Sequence, residues 1–311
     1  IELYPEDESK SYYKILILIN KVDFSMYNFS VFDKSNTKYV YKINEFKEEK
    51  IDDSFFIFDS SKYPDIEIID FRWFMNKKDL YKNIKKKRSY LCVGLDSDLK
   101  KIPKHLLKYE DPIFEFNKKI IDATADFVVA YKPNLAFYEY LGSSGFNSLK
   151  KTLDYIPDNI FKIADAKRGD IGNTSEMYAK TYFETLNFDA ITLSPYMGKD
   201  SSLPYLNYDN KWIILLALTS NDSSLNIQHF KNNNDEKLYQ HVIEDSLNWS
   251  SKENTMYVVG ANRLEEIQEI RKIVPYNFLL IPGVGAQGND LKEISLNSIN
   301  DNCGIIVNIS R

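Results

Sequence analysis

From residue 75 onwards, short apolar runs alternate with longer stretches whose apolar residues recur every three or four positions. Short apolar runs bounded by turn residues are typical of buried strands, and the longer period is typical of helices that bury one face. Eight such runs follow one another, at residues 90–96, 127–134, 161–167, 190–195, 212–220, 256–262, 278–284 and 304–311. Strands that alternate with helices predict a parallel sheet with right-handed helical connections.

Helix signals support this alternation. Asp111 followed by Pro112 combines a capping side chain with a proline at the first helical position, and it opens a helix over residues 113–125. Residues 236–249 and 264–273 carry apolar residues at helical spacing. Eight strand–helix units fit the size of about 250 residues that is usual for a barrel of this kind. We therefore predict an α/β fold, a (β/α)8 TIM barrel over residues 75–311 with the last helix missing; an open doubly wound sheet is the alternative.

Residues 1–74 follow a different pattern, in which strands are joined by turns and no helical period is present. Residues 37–44 show the period of two that is typical of a half-buried strand: Thr37, Tyr39, Tyr41 and Ile43 alternate with Lys38, Val40, Lys42 and Asn44. Strand-like runs cover residues 12–19, 26–32, 37–44 and 55–58, and turn residues lie at 33–36 and 63–65. This predicts a separate antiparallel meander of about four strands. A sheet this small needs a partner surface to be stable.

Composition and charge narrow the function classes. The chain has 43% hydrophobic and 27% charged residues, the balance of a globular protein, and a net charge of −5. Because no broad basic field would attract a phosphate backbone, we expect no nucleic-acid partner. The basic run at residues 85–88 is better explained as the end of a helix, where cations complement the helix dipole. No apolar run approaches the roughly 20 residues that a membrane helix needs, so no membrane partner is expected.

The few cysteines and histidines indicate neither a disulfide framework nor a metal site. Cys92 and Cys303 lie in or beside apolar runs, so we expect buried thiols in a reducing compartment, the cytoplasm. His105, His229 and His241 show no ligand spacing.

Charged residues are concentrated where the third predicted strand ends. The segment Asp165-Ala-Lys167-Arg-Gly-Asp170 places two carboxylates around one lysine. In an α/β barrel, catalytic side chains lie at the carboxyl ends of the strands. A surface salt-bridge cluster is the simpler explanation of most charge runs, but the position at a strand end favours chemistry.

Other predicted strands end in polar residues as well. Any one of these could be a helix cap or a surface charge, but together they predict a polar pocket on one rim of the barrel. The residues are Asp96 after the first strand, Lys132 and Asn134 after the second, Ser220 after the fifth, Gln287 after the seventh and Arg311 after the eighth. Glycines at 283, 285 and 288 would let the backbone approach a ligand. With Gln287 and Arg311 they predict a phosphate site, in the place usual for this fold.

Residues 75–311 resemble the orotidine 5′-monophosphate decarboxylases, of the longer bacterial type. The match runs through almost the whole predicted barrel in the right order, and its central motif is highly specific. The motifs are Cys92-Val-Gly-Leu-Asp96, Ala130-Tyr-Lys132-Pro-Asn134, the segment from Ala164 to Thr174, Pro195-Tyr-Met-Gly198, the segment from Leu216 to Asn221 and the segment from Pro282 to Gly288.

The resemblance implies decarboxylation of orotidine 5′-monophosphate (OMP) to UMP with no metal or organic cofactor. It implies that Lys167 protonates C6 and that Asp165 lies against the substrate carboxylate. Lys132 and Asp170 would complete an alternating array of lysines and aspartates. It also implies a homodimer with shared active sites, in which Asp170, Ile171 and Thr174 reach into the neighbouring subunit's site.

The same resemblance implies the substrate contacts. Asp96 and Lys132 would hold the ribose hydroxyls with Asn134 nearby, and Ser220 would bind the pyrimidine amide. Gln287 and Arg311 would grip the phosphate, and Pro282 belongs to the same substrate-binding rim. Residues 221–230, polar and without a clear period, would close over the substrate.

Two alternatives stay open at this point. One is a metal-dependent sugar-phosphate decarboxylase or aldolase on the same barrel, which shares the Asp-x-Lys-x-x-Asp pattern and would need Mg²⁺. The other concerns residues 1–74 alone: the stretch from Phe55 to Arg72 resembles the C-terminal part of periplasmic outer-membrane lipoprotein carriers. Since Met75 looks like the start of an independent protein, we expect residues 1–74 to be an appended fragment, from gene fusion or readthrough, without a role in catalysis.

Overall fold

The structure is a computed structural model of the chain, and it describes residues 1–5, 12–20, 26–35, 37–44, 75–284 and 290–310. The chain divides into two compact units, residues 1–69 and 70–311. Each unit has its own sheet, a four-stranded one in the first unit and a closed barrel in the second.

The first unit contains the predicted antiparallel meander. Its strands are β1 (Glu2–Leu3), β2 (Tyr12–Ile19), β3 (Met26–Asp33) and β4 (Lys38–Lys42), paired in this order. The turn between β3 and β4 forms because the Asp33 carboxylate accepts the backbone N–H groups of Ser35 and Thr37, at 2.9 and 2.8 Å. The first of the four strands is β1, which was not predicted; the predicted strand at 55–58 and turn at 63–65 lie outside the described residues.

One face of this small sheet is apolar. Ile17 of β2 lies opposite Phe29 of β3, which in turn lies opposite Tyr41 of β4. The rings of Phe29 and Tyr41 stack with their centroids 4.7 Å apart. Cross-strand contacts of this kind are the unit of sheet stability, and they set the register of the three strands.

The second unit is the predicted parallel barrel. Its eight strands are β5 (Leu91–Gly94), β6 (Val128–Lys132), β7 (Phe161–Arg168), β8 (Ala190–Leu193), β9 (Trp212–Leu218), β10 (Thr255–Val259), β11 (Phe278–Pro282) and β12 (Ile305–Ile309). Each pairs in parallel with the next, and β12 pairs with β5 to close the ring. All eight predicted strands are confirmed, and closure excludes the open sheet.

Helices connect the strands. Over the described part of the chain they are α1 (Lys77–Lys87), α2 (Pro112–Thr124), α3 (Ala136–Glu139), α4 (Ser143–Tyr155), α5 (Gly172–Lys180), α6 (Leu203–Leu206), α7 (Leu225–Gln228), α8 (Leu238–Ser246), α9 (Leu264–Ile273) and α10 (Leu291–Ser298). The Asp111 side chain caps α2 by accepting the N–H of Phe114 at 3.0 Å, as the sequence predicts. Helix α8 is shorter than the predicted helix at residues 236–249, and α9 coincides with the predicted helix at residues 264–273.

Helix α1 closes the end of the barrel at which the strands begin. Leu80 and Ile84 of α1 are buried in one cluster with Trp212 and Phe278, the first residues of β9 and β11. The Trp212 indole donates a hydrogen bond to the carbonyl of Met75 at 2.9 Å. The opposite end, where the strands finish, is therefore the end left for polar groups and ligands.

The basic run at the end of α1 does more than face solvent. Lys87 Nζ donates to the carbonyl oxygens of Ala125 and Val128, at 2.5 and 2.8 Å. It thereby ties α1 to the segment between α2 and β6. Among the described residues, no helix has the length and apolar character needed to cross a membrane.

Candidate active site

Three charged side chains meet where β6 and β7 end. Lys132 is the last residue of β6, and Lys132 Nζ lies 2.5 Å from Asp165 Oδ2. Lys167 Nζ contacts the other oxygen, Oδ1, of the same carboxylate. Asp165 therefore holds one lysine on each of its two oxygens. The sequence predicted this meeting of Lys132, Asp165 and Lys167 on the barrel rim.

The three groups differ in their access to solvent. The Lys132 side chain is 5% exposed and the Asp165 side chain 11%, whereas the Lys167 side chain is 50% exposed. Lys132 and Asp165 thus form the base of the site. Lys167 is the member of the cluster most open to solvent.

Mutual attraction keeps the buried pair charged. Burial on its own raises the pKa of Asp165, but the charges of Lys132 and Lys167 outweigh it and hold the pKa below its ordinary value. Burial lowers the pKa of Lys132, and the nearby carboxylates of Asp165 and Asp96 outweigh that effect and raise it. The site therefore presents an ionised Asp165 carboxylate at neutral pH, held between the side chains of Lys132 and Lys167.

A residue that the sequence analysis missed lies directly under this cluster. Thr192 of β8 is buried, and its Oγ1 accepts the backbone N–H groups of Ala166 and Lys167, at 3.0 and 2.9 Å. Oγ1 also lies 3.3 Å from Asp165 Oδ1. The available signal was a single hydroxyl residue inside the apolar run Ala-Ile-Thr-Leu of β8.

Asp170 lies apart from the lysines of its own chain. It follows β7 just before α5, and its Oδ1 accepts the backbone N–H of Ile171 at 2.8 Å. Within the described ranges, no lysine Nζ lies within 4.0 Å of the Asp170 carboxylate. Ile171 is 54% exposed, and Thr174 is exposed on the first turn of α5. One chain thus forms a Lys-Asp-Lys cluster without the fourth member.

Asp96 and Asn134 lie on the neighbouring parts of the rim. The N–H of Leu95 donates to the carbonyl of Lys132 at 3.1 Å, which brings the end of β5 beside the end of β6. Asn134 forms an isolated parallel bridge with Asp165. Its Oδ1 accepts the N–H of Ala136 at 3.2 Å, so this oxygen caps the turn that follows.

Ser220 lies just after β9, where a glycine allows close packing. A Cβ on Gly260 would come within 2.9 Å of Ser220 Cα, so a side chain there would displace the end of β9. The Ser220 carbonyl also accepts a hydrogen bond from Asn262 Nδ2 at 3.0 Å.

The segment predicted to cover the substrate is more ordered than its sequence indicated. Residues 221–230 contain a 3₁₀ turn, Asp222–Ser224, and helix α7. Gln228 folds back onto Thr219: its Oε1 accepts the Thr219 N–H at 2.8 Å, and its Nε2 donates to Oγ1 at 3.0 Å. Elements this short leave no periodic signal, which explains why they were not predicted.

The predicted phosphate side of the rim is described in part. Pro282 ends β11, and Gly283 follows with a φ of +97°, in the region that favours glycine. On β5, a Cβ at Gly94 would lie 2.0 Å from Ser310 Oγ, so glycine is required where these two strand ends meet. Gly285, Gln287, Gly288 and Arg311 lie outside the described residues.

Both cysteines are free. Burial raises the pKa of Cys92 to about 12, and its thiol donates to Asn308 Oδ1 at 3.4 Å. Burial also raises the pKa of Cys303, which is partly exposed. Since the thiolate is the reactive form, neither thiol is a nucleophile at neutral pH.

Comparison with known proteins gives a consistent result. A model of the "Orotidine 5′-phosphate decarboxylase / HUMPS family" matches residues 89–311. An orotidine 5′-phosphate decarboxylase of Phocaeicola vulgatus is 58% identical over 240 residues, which cover 76% of this chain and 88% of the relative. One of Bacteroides fragilis is 56% identical over the same length and with the same coverage.

Solved structures agree with the sequence relatives. The structure of Leishmania donovani OMP decarboxylase superposes with a TM-score of 0.68 and 36% sequence identity, over 76% of this chain and 90% of that one. The family match at residues 89–311 includes all three residues of the Lys-Asp-Lys cluster.

Proposed function

The chain belongs to the orotidine 5′-phosphate decarboxylase family, and from this membership we propose how its own residues carry out the reaction. It is a carboxy-lyase that converts OMP to UMP and CO2 in pyrimidine biosynthesis. The observation that carries the mechanism is the buried Asp165 held between Lys132 and Lys167.

The chemical difficulty lies at C6 of the pyrimidine. When the bond between C6 and the carboxylate carbon breaks, its electron pair stays on C6 in an orbital that is not conjugated with the ring. Stabilisation must then come from charges already in place. Lys167 Nζ supplies the positive charge and donates its proton to C6 as CO2 leaves. Its half-exposed side chain then regains a proton from solvent.

Asp165 and Lys132 prepare the site for this step. The Asp165 carboxylate lies against the carboxylate of OMP, and the repulsion between them is relieved as CO2 leaves. Lys132 keeps Asp165 ionised, because it is buried against Oδ2 at 2.5 Å. Asp165 in turn holds the Lys167 ammonium group beside it and directs it toward the ligand.

The remaining rim residues bind the rest of OMP. Asp96 and Lys132 hold the ribose hydroxyls beside Asn134, and Ser220 binds the pyrimidine amide. Gln287 and Arg311 grip the phosphate, and Pro282 belongs to the same substrate-binding rim. Residues 221–230 close over the bound nucleotide. Binding of the phosphate, which lies far from C6, supplies binding energy for this closure.

The working unit is a homodimer with shared sites. Asp170 has its carboxylate away from both lysines of its own chain, and the adjacent Ile171 side chain is 54% exposed. We assign Asp170, Ile171 and Thr174 to the site of the neighbouring subunit, where Asp170 completes the alternating charges. The reaction uses no metal or organic cofactor, and the cytoplasm is the proposed location.

Residues 1–74 lie outside the catalytic unit in this proposal. The family match begins at residue 89, and the residues of the charged cluster all belong to the barrel. The resemblance of residues 55–72 to lipoprotein carriers stays a prediction, as does the boundary at residue 75.

The test is turnover of OMP by the purified chain, followed as the loss of orotidylate absorbance, with and without EDTA. We expect full activity in both cases. Activity toward a ketose phosphate that depends on Mg²⁺ and is lost in EDTA, with no turnover of OMP, would instead support the sugar-phosphate alternative.

A further inference from the structure

The pairing between β7 and β8 is interrupted at the catalytic segment. Ala164 pairs with Ile191, but the next pair is Arg168 with Leu193. Four steps along β7 therefore match two steps along β8. Asp165, Ala166 and Lys167 bulge out of the ladder with β8. The Asp165 N–H and carbonyl keep backbone partners on the side of β6, at Pro133 and Leu135, whereas the N–H groups of Ala166 and Lys167 lose the backbone partners that a regular strand would supply.

Thr192 lies opposite this bulge and takes the place of the missing partners. Its Oγ1 accepts the N–H groups of Ala166 and Lys167 at 3.0 and 2.9 Å. Its own proton is directed to Asp165 Oδ1 or to the Ala164 carbonyl, at 3.3 and 3.4 Å. Thr192 is 1% exposed, so water does not reach these groups in its place.

The backbone of Lys167 needs such support. Its φ is +49°, a left-handed conformation that costs energy for any residue with a Cβ. Conformations of this kind persist where the surroundings hold them, and they cluster at active sites. The hydrogen bond from Lys167 N to Thr192 Oγ1 acts on the residue that carries the strained φ.

We propose that Thr192 is a positioning residue for decarboxylation: its hydroxyl holds the bulge that sets Asp165 and Lys167 in their catalytic arrangement. Thr192 acts through these two residues and has no contact with the reacting atoms. The inference rests on the roles proposed above for Asp165 and Lys167. If Thr192 had only a packing role, its replacement by valine would leave kcat unchanged.

The experiment compares Thr192→Val, which keeps the shape and removes the hydroxyl, with Thr192→Ser, which keeps the hydroxyl. Thr255→Val is the matched control, because Thr255 is also buried in a barrel strand and its Oγ1 makes no hydrogen bond. Thermal unfolding, kcat and KM for OMP, and the Kd of UMP are measured for each. Thr192→Ala replaces Thr192→Val if the valine variant does not fold.

For Thr192→Val we expect kcat to fall on the order of 10- to 100-fold, because small displacements of catalytic groups cost this much. KM and the Kd of UMP should stay within about threefold, since the groups that bind nucleotide are elsewhere on the rim. Thr192→Ser should recover most of kcat, and Thr255→Val should keep the wild-type value.

Three outcomes would overturn the inference: wild-type kcat in Thr192→Val, an equal loss of kcat in Thr192→Ser, or an equal loss in Thr255→Val. If the wild-type chain turns over OMP and Lys167→Ala does not, any of these results refutes only the role of Thr192 and leaves the proposed function standing. A wild-type chain that does not act on OMP refutes the proposed function itself.

Discussion

At the scale of single residues, the site depends on one carboxylate that satisfies two lysines. Removing Lys132 would leave Asp165 Oδ2 without its partner in a mostly buried place, and removing Asp165 would leave Lys132 buried without the carboxylate that bonds to it. Breaking a buried ion pair on one side typically costs about 3–5 kcal/mol. Lys167 is the exception in this cluster. Because its side chain is half exposed, water can take its place beside Asp165 when the lysine is removed.

Lys167→Ala should therefore abolish decarboxylation and leave the protein folded. We expect kcat to fall below detection, because the proton donor to C6 is lost, and the Kd of UMP to remain measurable by calorimetry. Lys150→Ala is the control, since Lys150 is an exposed lysine on α4. Full activity in Lys167→Ala would refute the mechanism.

Asp189 is a partly buried carboxylate at the opposite end of the barrel. It precedes β8, and its Oδ2 accepts the N–H of Lys162 at 2.8 Å. Burial raises its pKa from 3.8 to about 6, although that hydrogen bond and two lysines oppose the shift. Because the unfolded state releases this proton near pH 4 and the folded state only near pH 6, stability falls as the pH rises between these two values and stays lower above pH 6. The difference corresponds to about 3 kcal/mol at neutral pH.

Asp189→Asn should remove this pH dependence, because the amide oxygen still accepts the N–H of Lys162. We expect the variant to be more stable than wild type at pH 8 and the gap to shrink at pH 5, in urea unfolding at both pH values. Asp165, whose pKa is lowered, contributes stability that is lost only below about pH 4. It therefore does not affect the comparison between pH 5 and pH 8. An equal gap at pH 5 and pH 8 would contradict the assignment.

At the scale of elements, glycine allows the strand ends to converge on the site. Gly260 after β10 and Gly94 on β5 each lie against a serine at the end of a neighbouring strand, Ser220 and Ser310. A side chain at either glycine would push apart two strands whose ends line the pocket. In the proposed function, these positions therefore couple packing of the barrel to binding of the substrate.

Gly260→Ala should raise KM for OMP by about tenfold and lower stability by about 1–3 kcal/mol, because the new Cβ meets the backbone of Ser220 at 2.9 Å. Asp111→Ala is the comparison, since it removes the cap of α2 at a cost of about 1 kcal/mol, and its carboxylate accepts hydrogen bonds from Phe114, Ser148 and Lys151, which are not predicted site residues. Stability should fall in both variants, whereas KM should rise only in Gly260→Ala. An unchanged KM in Gly260→Ala would argue against Ser220 as a substrate contact.

At the scale of the whole molecule, the barrel depends on α1 to close the end opposite the active site. Met75 is 1% exposed, and its carbonyl accepts the Trp212 indole N–H. Residues 75–88 precede the region that the family model matches, yet they belong to the barrel by packing. The functional unit is therefore longer than the family match.

A chain that begins at Met75 should keep the kcat of the full chain, whereas one that begins at residue 89 should unfold or aggregate. The second deletion removes α1 and uncovers the apolar cluster around Trp212 and Phe278. Circular dichroism and OMP turnover of both chains are the measurements. A large loss of kcat in the first deletion would show that residues 1–74 belong to the working enzyme.

The shared-site dimer makes its own prediction. Lys167→Ala and Asp170→Asn should each be inactive alone, and a mixture of the two should recover activity. A mixed dimer holds one site with both defects and one with neither, so random exchange of subunits gives about a quarter of the wild-type activity. No recovery after verified subunit exchange would place Asp170 in its own chain's site.

The sequence by itself determined the barrel and the residue types on its rim, because the apolar period of each strand and the polar residue at its end are local properties of the chain. It also predicted Lys132, Asp165 and Lys167 as one group, and the structure brings them together. Only the tertiary structure decided that Thr192 supports the bulge and that Asp170 stays away from Lys132 and Lys167 of its own chain. The first depends on the register between β7 and β8, and the second on the direction that the chain takes between β7 and α5, and no local pattern encodes either.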